Sequence, residues 1–329
     1  MDPRCEEATP AAGDLPDRCE IVEVGPRDGL QNEARTLDVA TRAGLVERAV
    51  RAGLRRIEVA SFVRPDLVPQ MAGAEELLAV LPRPSASYIG LVLNSRGLER
   101  ALAAGVDEIN AVVAATDAFS RANQNMPVAA AVEAWEAVAA RARRAGIPAT
   151  VTVSVAFGCP FEGEVPPERV VSIVAAVAAA GPVEVALADT IGAGVPSQVR
   201  QLVAMSSEAL RSEAPGCRLR CHFHNTRNTG YANALAALEA GVGVLDASLG
   251  GAGGCPFAPS ATGNIATEDL VYLLERMGVS TGVDLDEAIA TGHWLGEQLG
   301  WQLPSMLGRA GPFPTRPRPV SGPSRHRVE

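Results

Sequence analysis

Short apolar segments alternate with longer amphipathic segments along most of the chain. The apolar segments predict eight strands, near residues 20–24, 55–60, 87–92, 107–113, 148–155, 183–188, 217–223 and 243–248. The amphipathic segments predict eight helices, near residues 36–52, 72–81, 96–104, 127–145, 167–180, 196–213, 227–240 and 267–277. Strands that alternate with helices pair in parallel through right-handed crossovers, and eight such units close a barrel. The pattern therefore predicts an α/β fold, a TIM (β/α)₈ barrel.

An open doubly wound sheet is the alternative fold for the same alternation. A sheet of that type that binds a dinucleotide carries a Gly-x-Gly-x-x-Gly turn after its first strand. The corresponding turn here is Gly-Pro-Arg-Asp-Gly at residues 25–29, which lacks that glycine spacing. The barrel is therefore the favoured fold.

The two ends of the chain differ in composition from the predicted barrel. Residues 1–18 are acidic and contain proline, and we expect them to form a flexible leader. The barrel domain is predicted to span residues 19–307 and to include an appended C-terminal helix over 284–299. Residues 308–329 are rich in proline, arginine and serine, and they hold too few apolar groups to order themselves. We expect a disordered tail there.

Composition narrows the class of protein. The chain of 329 residues has a net charge of −9, which disfavours general nucleic-acid binding. It has no apolar run of the roughly 18 to 20 residues that span a bilayer, and its first 20 residues lack the apolar core of a signal peptide. We therefore expect a soluble, cytosolic protein that does not bind membranes. Its six cysteines are widely spaced in a chain with a large core, so we expect reduced thiols rather than a disulfide framework.

A pair of histidines near the end of the seventh predicted strand is the first sign of chemistry. His222 and His224 are two of the four histidines in the chain, and on a strand both imidazoles project from the same face. That arrangement favours a metal site, and the alternative is an interior strand with two hydrogen-bonded imidazoles. Oxygen ligands from other strands would decide between the two. Cys217 and Cys221 do not have the spacing of a zinc knuckle, and Cys221 should face away from both histidines.

Several other polar residues fall near the carboxyl ends of predicted strands, where a barrel of this kind forms its active site. They are Arg27, Asp28, Gln31, Glu58, Ser61, Asp189 and Asn264. Each has an ordinary explanation by itself, such as a turn cap for Asp28 or an ion pair with a surface arginine for Glu58. Together, a carboxylate, two imidazoles and an amide oxygen form a ligand set that suits Mg²⁺ or Mn²⁺. Arg27 beside the metal would add a fixed positive charge, which suits a reaction that develops an enolate.

Two cysteines lie in turns that follow predicted strands. Cys255 belongs to a glycine-rich loop after the eighth strand, where the backbone can come close to a ligand. Both a functional role and a buried structural role fit Cys255. Cys159 belongs to a Gly-Cys-Pro turn after the fifth strand, and we favour a structural role for it.

Taken in order, the motifs of the chain resemble the 3-hydroxy-3-methylglutaryl-CoA lyase family of the DRE-TIM metallolyases. The segments that carry the resemblance are GPRDGLQNE at 25–33, SFV at 61–63, VPQM at 68–71, GCPFEG at 158–163, DTIG at 189–192, HFH at 222–224 and GGCP at 253–256. The match continues in register from about residue 20 to about residue 300. An ordered series of this kind is far more specific than any single motif.

The resemblance implies a metal-dependent retro-Claisen cleavage of a 3-hydroxy-3-substituted glutaryl-CoA. The products would be acetyl-CoA and a 3-oxo acid, which is acetoacetate for the 3-methyl substrate. The metal, Mg²⁺ or Mn²⁺, would be bound by Asp28, His222, His224 and Asn264. The catalytic residues that the resemblance implies are Arg27, Asp28, Glu58, His222 and Cys255. The residues implied to bind the acyl-CoA substrate are Arg27, Gln31, Ser61 and Asp189.

Three of these implied residues have distinct roles in the reaction. Arg27 would stabilise the enolate that forms at the thioester end, and Glu58 would hold Arg27 in place. Cys255 would help to protonate the enolate of acetyl-CoA.

We also expect the protein to form a homodimer or a higher homo-oligomer.

Departures from the family's pattern limit the choice of substrate. Asn225 stands where an aspartate often follows the second histidine, and Thr152 stands where a tyrosine often precedes the serine of strand five by two residues. Ala34 replaces an expected lysine, a loss that Arg35 or Arg64 could offset. The 3-methyl substrate is therefore a default, and a bulkier or different 3-substituent is also compatible with the sequence.

Three alternative functions stay open, two of them enzymatic and one without catalysis. Condensing relatives such as isopropylmalate and homocitrate synthases resemble Asp-x-Thr-Leu-Arg-Asp-Gly at strand one, whereas this chain has Glu-Val-Gly-Pro-Arg-Asp at 23–28 and no large C-terminal regulatory domain. A retro-aldolase that acts on a 4-hydroxy-2-oxo acid is a further enzyme class. A catalytically silent barrel that serves as a binding or scaffold protein would not need the complete set of polar residues.

Overall fold

The computed structural model describes residues 15–83, 85–255 and 258–313, with the backbone alone for residues 255 and 258–261. In this part of the chain eight parallel strands close into a barrel. The strands are Glu20–Glu23 (β1), Arg56–Ser61 (β2), Ser87–Leu91 (β3), Glu108–Ala114 (β4), Ala149–Ser154 (β5), Glu184–Asp189 (β6), Arg218–Phe223 (β7) and Val244–Ala247 (β8). β1 pairs with both β2 and β8, which closes the ring. The predicted TIM barrel is confirmed, and each strand lies where an apolar segment predicted it.

The apolar character of the strand segments follows from burial on both faces. Every residue of β2, β6 and β8 is buried. A parallel sheet that is enclosed by helices has no solvent-facing side, so its strands do not alternate between apolar and polar positions. This is why the strands could be located as continuous apolar runs.

Helices follow the strands along the chain and cover the outside of the barrel. They are Val39–Arg51 (α1), Ala74–Val80 (α2), Ser95–Ala104 (α3), Asp117–Gln124 (α4), Val128–Arg144 (α5), Pro167–Ala178 (α6), Pro196–Glu213 (α7), Gly230–Glu239 (α8), Thr267–Arg276 (α9), Leu285–Leu299 (α10) and Leu307–Ala310 (α11). The appended C-terminal helix is confirmed as α10, which packs on α1 and on the loop after β8. Among the described residues, no helix has the length and apolar character needed to cross a membrane.

Helix α4 is an element that the sequence pattern did not predict. It begins after Thr116, whose Oγ1 accepts a hydrogen bond from the N–H of Phe119 at 3.4 Å. It ends at Asn125, which has the left-handed conformation with φ of 55°. Phe119 and Ser120 are its only buried residues, so its apolar pattern is too weak to distinguish it from a loop.

A layer of buried charged side chains fills part of the barrel interior. Arg56 on β2 reaches across to β6, with Nη2 2.8 Å from Glu108 Oε1 and 3.0 Å from Glu184 Oε1. Arg220 on β7 has Nε 3.4 Å from Glu184 Oε1 and 3.4 Å from Asp246 Oδ1. All five residues are buried. Buried charges persist when they are paired, so these side chains form one connected ion-pair layer.

The ends of the described chain are attached to the barrel. Arg18 forms a parallel bridge with Ser280. α11 crosses the predicted domain boundary at residue 308, and Asp269 accepts hydrogen bonds from two backbone N–H groups at the start of that helix. The remainder of the predicted leader, 1–14, and of the predicted tail, 314–329, lies outside the described residues.

Candidate metal and substrate site

The first strand leads into a tight turn that places two charged side chains at the mouth of the barrel. Residues Gly25–Gly29 form a short π-helical turn directly after β1. The start of the turn is fixed by Glu23 Oε1, which accepts a hydrogen bond from the N–H of Gly25 at 2.9 Å. A Cβ at Gly25 would lie 2.5 Å from that oxygen, so a side chain there would displace the contact. The turn presents Arg27 and Asp28 at the carboxyl ends of the strands.

Asp28 and the two histidines converge on one point at this mouth. Their ligand atoms all lie within 4.8 Å of one another. Asp28 Oδ2 is 4.0 Å from His222 Nε2 and 3.9 Å from His224 Nε2. Adjacent ligands of an octahedral ion are roughly 3 Å apart, so an approach of about one ångström would bring these atoms to metal-binding distance. The oxygen ligand that the metal interpretation required is therefore present beside the histidine pair.

Asn264 approaches the same carboxylate from the other side. It follows a small antiparallel sheet of Gly254–Cys255 (β9) and Ala258–Thr262 (β10). Its Nδ2 donates a hydrogen bond to Asp28 Oδ2 at 2.9 Å and to the carbonyl of Ala252 at 3.2 Å. The amide nitrogen, and not the amide oxygen, therefore faces Asp28. The role of Asn264 as an oxygen ligand would need its amide group to turn over, and that role stays a prediction.

Arg27 is fixed by two carboxylates. Its Nε and Nη2 donate to Glu58 Oε2 at 2.9 Å and 2.6 Å, and its Nη1 donates to Asp28 Oδ1 at 2.7 Å. The other oxygen of Glu58 accepts a hydrogen bond from Asn110 Nδ2 at 3.1 Å. The guanidinium is thus held rigidly next to the Asp28 carboxylate, and Glu58 has the position that the resemblance implied for it.

The charges at the mouth determine the protonation of Asp28 and Arg27. Burial raises the pKa of Asp28, but the positive charge of Arg27 and the interactions with His224 and His222 outweigh it and hold this pKa well below 3.8. Burial lowers the pKa of Arg27, but the charges of Glu58 and Asp28 raise it above its ordinary value. At neutral pH the site therefore contains an anionic Asp28 and a cationic Arg27.

His222 is held from behind by an aspartate that the sequence analysis did not identify. Asp246 on β8 lies next to His222 in the register of the sheet, and its Oδ2 is 3.2 Å from His222 Nδ1. Burial raises the pKa of Asp246, but Arg220 and His222 lower it below its ordinary value, so Asp246 is ionised. The available signal was a single carboxylate inside an otherwise apolar strand, Val-Leu-Asp-Ala.

A cavity of about 360 Å³ opens at this group of side chains. Its size falls in the range of ligand-binding cavities. The predicted site residues that line it are Arg27, Asp28, Gln31, Ser61, His222 and His224. Two more, Glu58 and Asn264, lie directly behind this wall and hydrogen-bond to Arg27 and Asp28. The structure therefore brings most of the predicted residues together at one end of the barrel.

The part of the cavity wall that comes from β4 and β5 contains three polar residues, of which the sequence analysis had singled out only Thr152, as a departure that bears on the choice of substrate. Asn110, Thr152 and Ser154 line it. Thr152 Oγ1 donates to Asn110 Oδ1 at 3.2 Å, which orients the amide of Asn110 toward Glu58. The hydroxyl oxygens of Ser61 and Ser154 are buried and have no hydrogen-bond partner among the described residues.

The remaining two predicted site residues, Asp189 and Cys255, also do not line the cavity with a described side chain. Asp189 is fully buried, and its carboxylate accepts hydrogen bonds from the N–H groups of Ala193 at 2.8 Å and Gly194 at 2.9 Å. The chain after β6 turns back and binds the carboxylate with its backbone, and the role of Asp189 in substrate binding stays a prediction. The side chain of Cys255 lies outside the described residues, although Gly254 before it lines the cavity.

Among the described residues, no cysteine sulfur belongs to the group of ligand atoms that converge with the two histidines. Burial raises the pKa of Cys217 to about 11 and also raises that of the fully buried Cys221. Cys159 is buried with its Sγ 3.1 Å from Thr116 Oγ1, which is in keeping with a structural role. The ligand set around the two histidines is therefore one of nitrogen and oxygen.

The chain is similar to known carbon–carbon lyases over most of its length. A family model described as HMGL-like matches residues 18–294. The chain is 46% identical to the (R)-citramalyl-CoA lyase of Chloroflexus aurantiacus, over 89% of this chain and 94% of that protein. It is 44% identical to a hydroxymethylglutaryl-CoA lyase of Pseudomonas mevalonii, over 88% of this chain and 95% of that protein. It is 42% identical to the 3-hydroxy-3-isohexenylglutaryl-CoA/hydroxymethylglutaryl-CoA lyase of Pseudomonas aeruginosa, over 90% of this chain and 98% of that protein.

Solved structures agree with the sequence comparisons. An HMG-CoA lyase from Bacillus subtilis superposes with a TM-score of 0.86 at 38% identity, covering 90% of this chain and 98% of that one. An HMG-CoA lyase from Acinetobacter baumannii, solved in complex with coenzyme A and 3-methylmalate, superposes with a TM-score of 0.85 at 38% identity, covering 92% of this chain and 98% of that one.

Proposed function

This chain belongs to the HMGL-like family and is a carbon–carbon lyase, and we propose that it is a divalent-metal-dependent enzyme that cleaves a 3-hydroxy-3-methylglutaryl-CoA-like thioester to acetyl-CoA and a 3-oxo acid. The observation that carries the proposal is the position of Arg27 beside Asp28, His222 and His224 in one cavity. A metal-binding cluster next to a fixed guanidinium provides two positive centres for a reaction in which negative charge develops on the substrate.

The donor set fits a hard divalent cation, and we propose Mg²⁺ or Mn²⁺. One carboxylate and two imidazoles converge, and Asp28 carries the negative charge that attracts a cation. Members of the family depend on a divalent metal. Asp28, His222 and His224 would hold the cation, with Asn264 as the further predicted ligand. When bound, it would polarise oxygen atoms of the substrate and ease loss of the proton from the tertiary hydroxyl group.

The residues of the chain would then stabilise the charge that bond cleavage creates. As the hydroxyl proton leaves, the C3 hydroxyl becomes a ketone, the bond between C2 and C3 breaks, and its electron pair stays on the thioester fragment as an enolate. Arg27 would donate N–H groups to the enolate oxygen, and Glu58 keeps the guanidinium in that orientation. Protonation of the enolate carbon gives acetyl-CoA, and we propose Cys255 for this step on the strength of the family resemblance.

The wall formed by β4 and β5 supports a broader choice of 3-substituent than methyl. Thr152 is a small side chain, and its hydroxyl group is already bound to Asn110. We propose that this wall contacts the group at C3 and that Thr152 leaves room for a chain longer than methyl. The relative from Pseudomonas aeruginosa is named for both a 3-methyl and a 3-isohexenyl substrate.

A citramalyl thioester is the second candidate substrate. It is favoured by the 46% identity to a lyase that is named for citramalyl-CoA. In this compound the carboxylate is attached directly to the carbinol carbon, so cleavage releases a 2-oxo acid in place of a 3-oxo acid. Both candidates give acetyl-CoA, and the second product therefore separates them.

The proposed partners of the enzyme are an acyl-CoA substrate and further copies of the same chain. An acyl-CoA substrate is supported by the coenzyme A complex of the Acinetobacter baumannii relative. A homodimer or a higher homo-oligomer and a cytosolic location stay predictions from the sequence.

A panel of 3-hydroxyacyl-CoA thioesters tests the proposal directly. Purified enzyme with Mn²⁺ would be given three kinds of thioester: 3-hydroxy-3-methylglutaryl-CoA, its analogues with a longer 3-alkyl group, and citramalyl-CoA. Both products of each reaction would be identified by mass spectrometry. We expect acetyl-CoA together with a 3-oxo acid from the glutaryl compounds. A 2-oxo acid from the citramalyl compound alone would establish the second candidate. Failure to release acetyl-CoA from any of them would contradict the proposed function.

A further inference from the structure

Asp246 is a buried carboxylate with one described hydrogen-bond partner. Its Oδ2 lies 3.2 Å from His222 Nδ1, and the pairing of β7 with β8 places the two residues side by side. Its other oxygen, Oδ1, has no hydrogen-bond partner among the described residues and lies 3.4 Å from Arg220 Nε. The hydrogen bond of Asp246 is thus directed at a residue of the metal-binding cluster.

The ion-pair layer inside the barrel keeps this carboxylate in place. Arg220 lies between Asp246 and Glu184, and Arg56 lies between Glu184 and Glu108. The charges alternate in sign along this series, and it ends at the Asp246 carboxylate beside His222. Since all of these residues are buried, removing one charge would leave its neighbour with fewer ion-pair partners in the barrel interior. The layer therefore supports a fixed, anionic Asp246.

A neutral histidine has a proton on one ring nitrogen only, and the partner of that nitrogen decides which one. An anionic carboxylate can only accept, so the contact requires a proton on His222 Nδ1. The lone pair then lies on Nε2, the nitrogen that faces Asp28 Oδ2 at 4.0 Å. This is the tautomer that can bind a metal at the point where the ligand atoms converge.

We propose that Asp246 is a positioning residue that holds the ring of His222 with its proton on Nδ1 and with Nε2 directed at the metal. The inference rests on the proposed function for the identity of the ligand cluster. It goes beyond that function because it assigns a role to a residue outside the cluster and connects the cluster to the ion-pair layer. Carboxylates that orient ligand histidines in this way typically change metal affinity by about 10- to 100-fold when they are removed.

The test uses Asp246→Asn and a matched control, Glu184→Gln. The asparagine side chain has nearly the shape of aspartate, but its amide group can donate to Nδ1 and so permits the tautomer with a proton on Nε2. Glu184→Gln removes a charge from the same ion-pair layer one step further from His222 but keeps the Asp246 carboxylate, so it measures how much of any effect comes from disturbing the layer alone. Both variants would be checked by circular dichroism and by their melting temperatures.

Two readouts separate positioning from a purely structural role. The dissociation constant for Mn²⁺, measured by counting free Mn²⁺ with electron paramagnetic resonance, should rise by roughly 10- to 100-fold in Asp246→Asn and by less than about threefold in Glu184→Gln. Nitrogen-15 NMR of the metal-free protein, recorded at a pH where the titration of the signals shows a neutral His222 ring and with those signals assigned through a His222→Gln variant, should show the proton on Nδ1 in the wild type and a shift toward Nε2 in Asp246→Asn.

The inference is overturned if the metal-free wild type has the proton on His222 Nε2. It is also overturned if Asp246→Asn lowers the melting temperature but leaves the Mn²⁺ affinity unchanged, or if both variants weaken Mn²⁺ binding equally. If the wild type binds no Mn²⁺, the proposed metal dependence fails. The NMR measurement then still decides whether Asp246 sets the tautomer of His222.

Discussion

Replacement of Arg27 by lysine separates cleavage chemistry from metal binding. The arginine uses three different nitrogens, with Nε and Nη2 bound to Glu58 and Nη1 bound to Asp28. A lysine ammonium keeps the positive charge but has a single nitrogen on a flexible stem, so it cannot hold both carboxylates and also meet an enolate oxygen in a fixed direction. Arg27→Lys therefore changes geometry more than charge.

The expected size of the effect follows from the contacts that are lost. A charge-assisted hydrogen bond contributes about 1.5 to 3 kcal/mol, and loss of a preorganised donor to a developing oxyanion lowers kcat by roughly 100- to 1,000-fold. We expect kcat of Arg27→Lys to fall on the order of a hundredfold, which corresponds to about 2.7 kcal/mol in the activation barrier. The Mn²⁺ dissociation constant should change little, because a cation remains beside Asp28.

The assay is steady-state release of acetyl-CoA, with Mn²⁺ binding measured in parallel. Arg200→Lys is the matched control, because Arg200 is an exposed residue of α7 that pairs with Glu239 on α8, and such pairs contribute little. Its kcat should equal that of the wild type. A near-wild-type kcat for Arg27→Lys would refute the role in enolate stabilisation, and a raised KM with unchanged kcat would indicate substrate binding alone.

Two further predictions concern specificity and stability. Thr152→Tyr should fill the space at the wall of β4 and β5, so kcat/KM for long 3-alkyl substrates should fall at least about tenfold more than kcat/KM for the 3-methyl substrate. Thr152→Ser keeps the hydroxyl group that binds Asn110 and should not show this difference. Equal losses of kcat/KM for both substrates in Thr152→Tyr would contradict the assignment. Burial raises the pKa of Glu23 from 4.5 to about 8, so between these pH values the folded state retains a proton that the unfolded state loses. The contribution of Glu23 to the free energy of unfolding is therefore complete below pH 4.5 and is lost as the pH rises toward 8. Glu23→Gln imitates the protonated acid, and the melting temperature of the wild type should fall relative to this variant between pH 4.5 and 8; a constant difference would show that Glu23 does not titrate there.

The fold could be predicted from the sequence because its physical signals are continuous. A strand of an enclosed parallel barrel is buried on both faces, so each strand is an apolar run, and each long helix repeats an apolar face over several turns. α4 has only two buried residues, so it leaves almost no such signal. A short helix of that kind depends on its end contacts, here with Thr116, which pattern analysis does not detect.

The candidate site was predictable where residues stand at strand ends and less so where they lie inside strands. Asp28, His222 and His224 were found because strand ends meet at one mouth. Asp246 lies within an apolar strand, where a lone polar side chain can face the barrel interior or form a structural ion pair, and the sequence does not distinguish these. Asp189 stands at a strand end as well, but its carboxylate is bound by the backbone of the following turn, a contact that the sequence pattern does not reveal.

The central claim is that the cluster of Asp28, His222 and His224 binds a divalent cation that the cleavage requires. The most direct measurement is acetyl-CoA release from 3-hydroxy-3-methylglutaryl-CoA by chelator-treated enzyme as Mn²⁺ is added back, for the wild type and for folded His222→Ala and Asp28→Ala. The account predicts no release without the cation, saturable recovery in the wild type, and no recovery in either variant. Full activity of the chelator-treated enzyme, or recovery of His222→Ala to the wild-type rate, would contradict it.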